Sequence, residues 1–83
     1  MYYTYILRCK DGSLYTGITT DVNRRFKEHQ RKKGGNYTRT HKAQEIVYIE
    51  ACGDRGTALK REHEIKKLER AQKLALVSDT IRA

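Results

Sequence analysis

The stretch Tyr5-Ile6-Leu7-Arg8-Cys9-Lys10-Asp11-Gly12-Ser13-Leu14-Tyr15-Thr16-Gly17 decides how this chain folds. Over the first eight residues Tyr3, Tyr5 and Leu7 alternate with Tyr2, Thr4 and Ile6, the composition of a strand buried on both faces. Lys10-Asp11-Gly12 then reads as a three-residue hairpin loop, a type I turn closed by Gly12 in the left-handed conformation that glycine adopts without a Cβ penalty. That loop length fixes the pairing. With Cys9 opposite Ser13, Leu7 faces Tyr15 and Tyr5 faces Gly17, so the phenols of Tyr5 and Tyr15 emerge on one side of the sheet. A two-residue turn would set them on opposite sides.

Outward from the hairpin, a second strand runs from Leu14 to Thr19. Thr20 is a candidate N-cap, Asp21 suits the positive end of a helix, and Val22 and Phe26 carry that helix to about Arg31. Residues 32–44 hold Gly34-Gly35 and no apolar period, and read as a loop. Ile46, Val47, Tyr48 and Ile49 mark a third strand over Glu45 to Ala51. Asp54 can cap a second helix from about Arg55 to Leu68, and a third follows from Arg70 to about Ser78. The order β-β-α-β-α-α with a hairpin opening predicts an α+β domain, a small antiparallel sheet with helices against it, occupying all 83 residues.

Composition narrows the function. A chain of 83 residues allows one domain, which buries only about two-thirds of its unfolded surface and leaves little room for a large enclosed substrate cavity. No segment approaches the roughly 20 apolar residues of a membrane helix, and the Met1-Tyr2-Tyr3-Thr4 start lacks the pattern of a signal peptide, so the chain is expected in the cytoplasm. Cys9 and Cys52 are too few for a disulfide framework and read as small buried hydrophobes. The formal charge is +8, and it is concentrated. Arg24, Arg25, Lys27, Arg31, Lys32, Lys33, Arg39 and Lys42 stand against Glu28 alone between residues 24 and 42. The cluster comes with Asn36, Tyr37, Thr38 and Thr40, and such hydroxyl, amide and aromatic groups beside arginines make phosphate and sugar contacts. A nucleic acid partner is expected rather than an inert charged surface.

One residue of the second helix breaks its local pattern. At helical spacing Ala58, Leu59 and Ile65 share a stripe of the second helix, and Glu62 falls within it rather than with Lys60, His63, Glu64 and Lys67. A carboxylate there needs a partner: a salt bridge to Arg25 or Lys66, or a hard divalent ion held by the carboxylate and water. Arg25 and His29, four apart beside Val22 and Phe26, project from one side of the first helix at the margin of the core. Arginine there can fork onto a phosphate, and histidine exchanges protons near neutral pH, although either residue alone would read as ordinary helix surface. Tyr2, Tyr3 and Tyr48 are read as core.

Taken together, Tyr5, nine residues, Tyr15-Thr16-Gly17, seven residues, Arg25, three residues, His29, and later Glu62 on the inner side of a helix resemble the GIY-YIG nuclease family. Tyr3-Thr4-Tyr5 corresponds to the first motif and Tyr15-Thr16-Gly17 to the second, and the resemblance runs from Met1 to about Leu76. The stretches Lys33-Gly34-Gly35-Asn36-Tyr37-Thr38-Arg39 and Ala58-Leu59-Lys60-Arg61-Glu62 look most like the small, stand-alone, uncharacterised bacterial members.

That resemblance implies a three-stranded antiparallel sheet flanked by helices and divalent-metal-dependent hydrolysis of DNA phosphodiesters. It implies that Tyr5 and Tyr15 are the phenols of the site, one relaying or accepting a proton from the attacking water. Arg25 would hold the scissile phosphate, His29 would assist proton transfer, and Glu62 would bind a single Mg²⁺ or Mn²⁺. Arg24, Lys32, Lys33, Asn36, Tyr37, Thr38 and Arg39 are the expected nucleic-acid contacts. Ile18 stands where some relatives carry a lysine, so no lysine adjoins the second motif to activate a tyrosine. With no room expected for a separate binding domain, cleavage should be of low sequence specificity, directed by DNA structure as in repair, or lent specificity by a protein partner. The competing reading is a nucleic-acid-binding module of the same fold that performs no chemistry. An interaction scaffold for an acidic protein is a third.

Overall fold

The computed structural model describes residues 1–31 and 43–82, with side chains for 1–31 and 43–77. Strands β1 (Tyr2–Cys9) and β2 (Leu14–Thr19) are followed by helix α1 (Val22–Gln30), strand β3 (Ala43–Gly53) and helices α2 (Arg55–Lys66) and α3 (Arg70–Arg82). The strands form one antiparallel sheet in the order β2-β1-β3. The α+β architecture and element order expected from the sequence are those observed.

The hairpin register is the one its loop length dictates. The Gly12 amide donates to the Cys9 carbonyl at 2.9 Å, the Cys9 amide donates to Ser13 at 2.8 Å, and Gly12 has φ of 88°. Tyr5 consequently pairs with Gly17 and Leu7 with Tyr15. Because β1 is central, Thr4, Tyr5, Ile6 and Leu7 are buried in succession, the run expected of a strand covered on both faces. On one face Tyr5 and Leu7 pack with Val22 and Ala43, joined by Tyr3, Tyr15, Phe26 and Ile46. On the other, Ile6 packs with Val47, Ile65 and Val77, joined by Leu14, Tyr48 and Leu76. Helix α1 therefore covers the phenol face, and α2 and α3 cover the opposite one.

The element ends depart from expectation for local physical reasons. Asp21, not Thr20, caps α1: its carboxylate accepts from the Arg24 amide at 3.1 Å, while the Thr19 hydroxyl accepts from the Asp21 amide. A carboxylate both satisfies an orphan amide and complements the helix dipole, so it outcompetes the hydroxyl. Asp54 caps α2 as expected, accepting from the Thr57 amide at 2.8 Å. Strand β3 extends two residues further at each end than its composition suggests, because β1 pairs with it from Tyr2↔Gly53 to Cys9↔Ala43. Helix α2 closes at Lys66 and α3 continues to Arg82. Both cysteines are free, Cys9 buried and Cys52 only partly so, with its sulfur 3.4 Å from the Thr4 hydroxyl. Among the described residues no helix is long and apolar enough to cross a membrane.

Candidate active site

Valine and phenylalanine at positions 22 and 26 seat α1 on the sheet, and the same helical phase brings Arg25 and His29 over the hairpin. His29 is wholly buried, deeper than the core margin its sequence position suggested. The rings of Tyr5 and Tyr15 enclose it, and an imidazole can enter such a place if its polar edge is bonded. Its Nε2 lies 3.0 Å from the Tyr5 hydroxyl. Tyr15 meets the imidazole edge-on, with centroids 5.0 Å apart, and lies 6.3 Å from the Tyr5 ring.

Beneath these rings the sheet has a gap. A Cβ at residue 17 would come within 2.7 Å of the Tyr5 hydroxyl oxygen and 3.1 Å of the Tyr15 ring. Gly17 is thus the strand position where two phenols can tilt together over bare backbone.

Arg25 is half-buried and donates to Glu28 Oε1 at 3.1 Å. Burial opposes its charge, but the bond to Glu28 and the neighbouring Tyr5 hydroxyl outweigh burial and hold the guanidinium pKa above its ordinary value. Burial, with Tyr15 and Glu62 nearby, pushes the Tyr5 phenol well above the tyrosine range against the lowering influence of Arg25. Glu62 sits on α2, across the sheet, yet close enough to act electrostatically on Tyr5. Its side chain is only 15% exposed, as its place in the apolar stripe predicts, and Lys66 lies 3.7 Å from its Oε2. Of the two salt-bridge partners considered for Glu62, the structure supplies Lys66, and Arg25 pairs with Glu28. Sequence reading missed Glu28 as part of the site, although its i,i+3 spacing from Arg25 was the available signal.

His29 is pushed down to about 4, chiefly by burial and then by the Arg25 charge, with Glu28 opposing. Near neutral pH the Tyr5–His29 pair is therefore a neutral phenol against a neutral imidazole, and the imidazole can accept the phenol proton in the tautomer that leaves Nε2 bare. A stability prediction follows from the sign of the shift. In the unfolded chain His29 binds a proton at about pH 6.5, but in the folded chain only near 4. As pH falls through that window the unfolded state binds more protons, so stability drops by on the order of 3 kcal/mol and levels off below the folded value. Urea unfolding between pH 6.5 and 5, above the carboxylate range, should show this slope, and His29→Gln should flatten it.

Among the described residues no three His, Cys, Asp or Glu side chains converge as a metal cluster. The donor chemistry present fits one hard ion on the Glu62 carboxylate with water completing its shell. Arg24 is exposed on α1. Lys32, Lys33, Asn36, Tyr37, Thr38 and Arg39, the other expected nucleic-acid contacts, lie outside the described residues.

The GIY-YIG catalytic domain family matches residues 1–75. A UPF0213 protein of Natronomonas pharaonis is 47% identical over 78 residues, covering 94% of this chain and 92% of that protein. One from Staphylococcus saprophyticus is 44% identical, covering 94% and 95%. The solution NMR structure of a UPF0213 protein from Bacillus halodurans is 48% identical and superimposes with a TM-score of 0.59, covering 94% of this chain and 84% of that one.

Proposed function

Because the chain belongs to the GIY-YIG catalytic domain family, we propose that it is a divalent-metal-dependent endonuclease that hydrolyses DNA phosphodiester bonds with low sequence specificity or under the direction of DNA structure. The observation that carries this reading is the gathering of Tyr5, Tyr15, Arg25 and His29 over the bare backbone of Gly17, with Glu62 in electrostatic reach. The charge of +8 suits a polyanionic substrate.

In this reading Arg25 forks onto the scissile phosphate and takes up the charge added as water attacks phosphorus. Glu62 would hold one Mg²⁺ or Mn²⁺, which when bound would supply Lewis-acid stabilisation of the negative charge that develops. The proton of the attacking water passes to a phenol. Tyr5 is a poor resting base, since its pKa is raised by burial, but it need not keep the proton. Its hydroxyl can give its own proton to His29 Nε2, 3.0 Å away, as it receives the one from water. The two groups then act as a relay, and Gly17 leaves room for the Tyr5 phenol to take its place in it.

The test is nicking of supercoiled and branched DNA in Mg²⁺ or Mn²⁺, with a chelator control. The wild type should cut, and the Glu62→Ala variant should cut about 10²- to 10³-fold more slowly. If, at high protein concentration and over several substrates, the wild type cuts no better than Glu62→Ala, the protein is a binding module and the catalytic reading is overturned.

A further inference from the structure

The last turn of α2 and the start of α3 stand beside edge strand β2, and a cleft of 310 Å³ lies between them. Its lining is Leu14, Tyr15 and Thr16 from the strand, Lys66 from α2 and Lys73 from α3. The walls are tied together, since Arg70 at the start of α3 donates to the Gly12 carbonyl in the hairpin turn at 2.9 Å. The cleft shares Tyr15 with the candidate active site and borders it at Lys66. Tyr15 lines it while packing edge-on against His29, and Lys66 lines it while facing Glu62 at 3.7 Å.

The lining residues carry two ammonium groups, from Lys66 and Lys73, beside a largely apolar surface contributed by Leu14, Tyr15 and Thr16, and no acid. Amines and hydroxyls take phosphate oxygens, and a phenol ring beside an apolar side chain takes a sugar or base. Between residues 66 and 73 Lys66, Lys67, Arg70 and Lys73 stand against Glu69 alone. Volume sets the scale, because ligand clefts run from roughly 300 to 1,000 Å³ and this one sits at the small end, fit for a single nucleotide unit and too small for a duplex.

We infer that this cleft seats the nucleotide adjoining the scissile bond, with its phosphate on Lys66 and Lys73, and that Lys66 leaves Glu62 to make that contact. The inference rests on the nucleic-acid reading proposed above and adds a second contact surface, formed by α2, α3 and β2, to the basic segment between residues 24 and 42. In the free protein Lys66 serves as the counter-cation of the Glu62 carboxylate. When phosphate enters the cleft, the ammonium has a new partner and the carboxylate becomes available to a divalent ion. Substrate and metal would then favour one another, since each relieves the same ion pair.

Two measurements on the full chain test this. Fluorescence anisotropy with a short labelled DNA, in the absence of divalent ions and over a salt series, should show Lys66→Met and Lys73→Met each binding about 3- to 10-fold more weakly, with the salt slope reduced by about one. Lys60→Met, on the far side of α2, should match the wild type. Titration of the DNA-free protein with Mn²⁺ alone should show tighter binding in Lys66→Met by about 3- to 10-fold and no change in Lys73→Met, because only Lys66 competes at the carboxylate. Wild-type DNA binding with unchanged affinity and slope in both lysine variants overturns the cleft and leaves the nucleic-acid reading standing. Unchanged or weaker Mn²⁺ binding in Lys66→Met overturns the exchange. If the wild type binds no DNA even at low salt, the nucleic-acid reading itself falls and the cleft with it.

Discussion

Replacing Arg25 by alanine is expected to slow DNA nicking by about 10²- to 10³-fold, the usual cost of removing one preorganised donor from the charge that develops in a transition state. The fold should survive the change. Arg25 is 32% exposed and its pair with Glu28, itself 38% exposed, is an i,i+3 contact of the kind that contributes less than about 1 kcal/mol. Arg25→Lys should recover little of the lost rate, because an ammonium cannot fork onto two phosphate oxygens and would not reach Tyr5 and a phosphate together. The Tyr5 phenol should also become harder to ionise, since Arg25 is the neighbour that lowers its pKa against burial. Glu62→Ala should cost as much as Arg25→Ala, and the double variant should be little worse than either, since groups that act as a unit are not additive. Thermal melts within a few degrees of the wild type, with nicking reduced less than 10-fold in Arg25→Ala, would mean that another side chain holds the phosphate.

How far this site could be read in advance depends on whether the deciding interaction is local. The three-residue loop at Lys10-Asp11-Gly12 fixes its own register, so the facing of Tyr5 and Gly17, and with it the shared side of the two phenols, was legible from thirteen residues. The phase of α2 was equally local, and Glu62 proved as enclosed as its place between Ala58 and Ile65 required. His29 was different. Its spacing from Arg25 gave the direction of the side chain but not its depth, which Tyr5 and Tyr15 decide from another element. Strand β3 exceeded its hydrophobic run because a partner strand sets pairing length. Behind the site, Glu50 accepts from both the Tyr48 hydroxyl and Arg61 Nε, which ties β3 to α2. Nothing in the spacing of those three residues announced the cluster, since Arg61 and Glu50 meet only after the sheet and helix have packed. Tyr48, read as core, is half-buried and carries its hydroxyl into that cluster. What remains local is therefore readable, and what is enclosed by neighbours has to be seen.

Among the described glycines, Gly17→Ala should be the most damaging substitution by alanine. The backbone there is ordinary strand, so the strain comes from contact rather than from conformation. The new Cβ would fall 2.7 Å from the Tyr5 hydroxyl oxygen and 2.8 Å from its Cζ, closer than nonbonded atoms tolerate, so the phenol must move. It has little freedom to do so, being 1% exposed and bonded to His29. Overpacking of this kind costs about 1–3 kcal/mol, and displacement of the phenol also breaks the Tyr5–His29 contact. A misplacement of about 1 Å at a reacting group can lower the rate 10²-fold, so nicking should fall further than stability. The cause can be isolated by a double-mutant cycle with Tyr5→Leu, which removes the ring and its hydroxyl. In that background Gly17→Ala should cost less than about 1 kcal/mol, giving an interaction energy that only direct contact explains. If Gly17→Ala loses stability equally with and without the Tyr5 ring, the glycine serves the strand and not the site, and the bare patch of backbone has no part in placing the Tyr5 phenol.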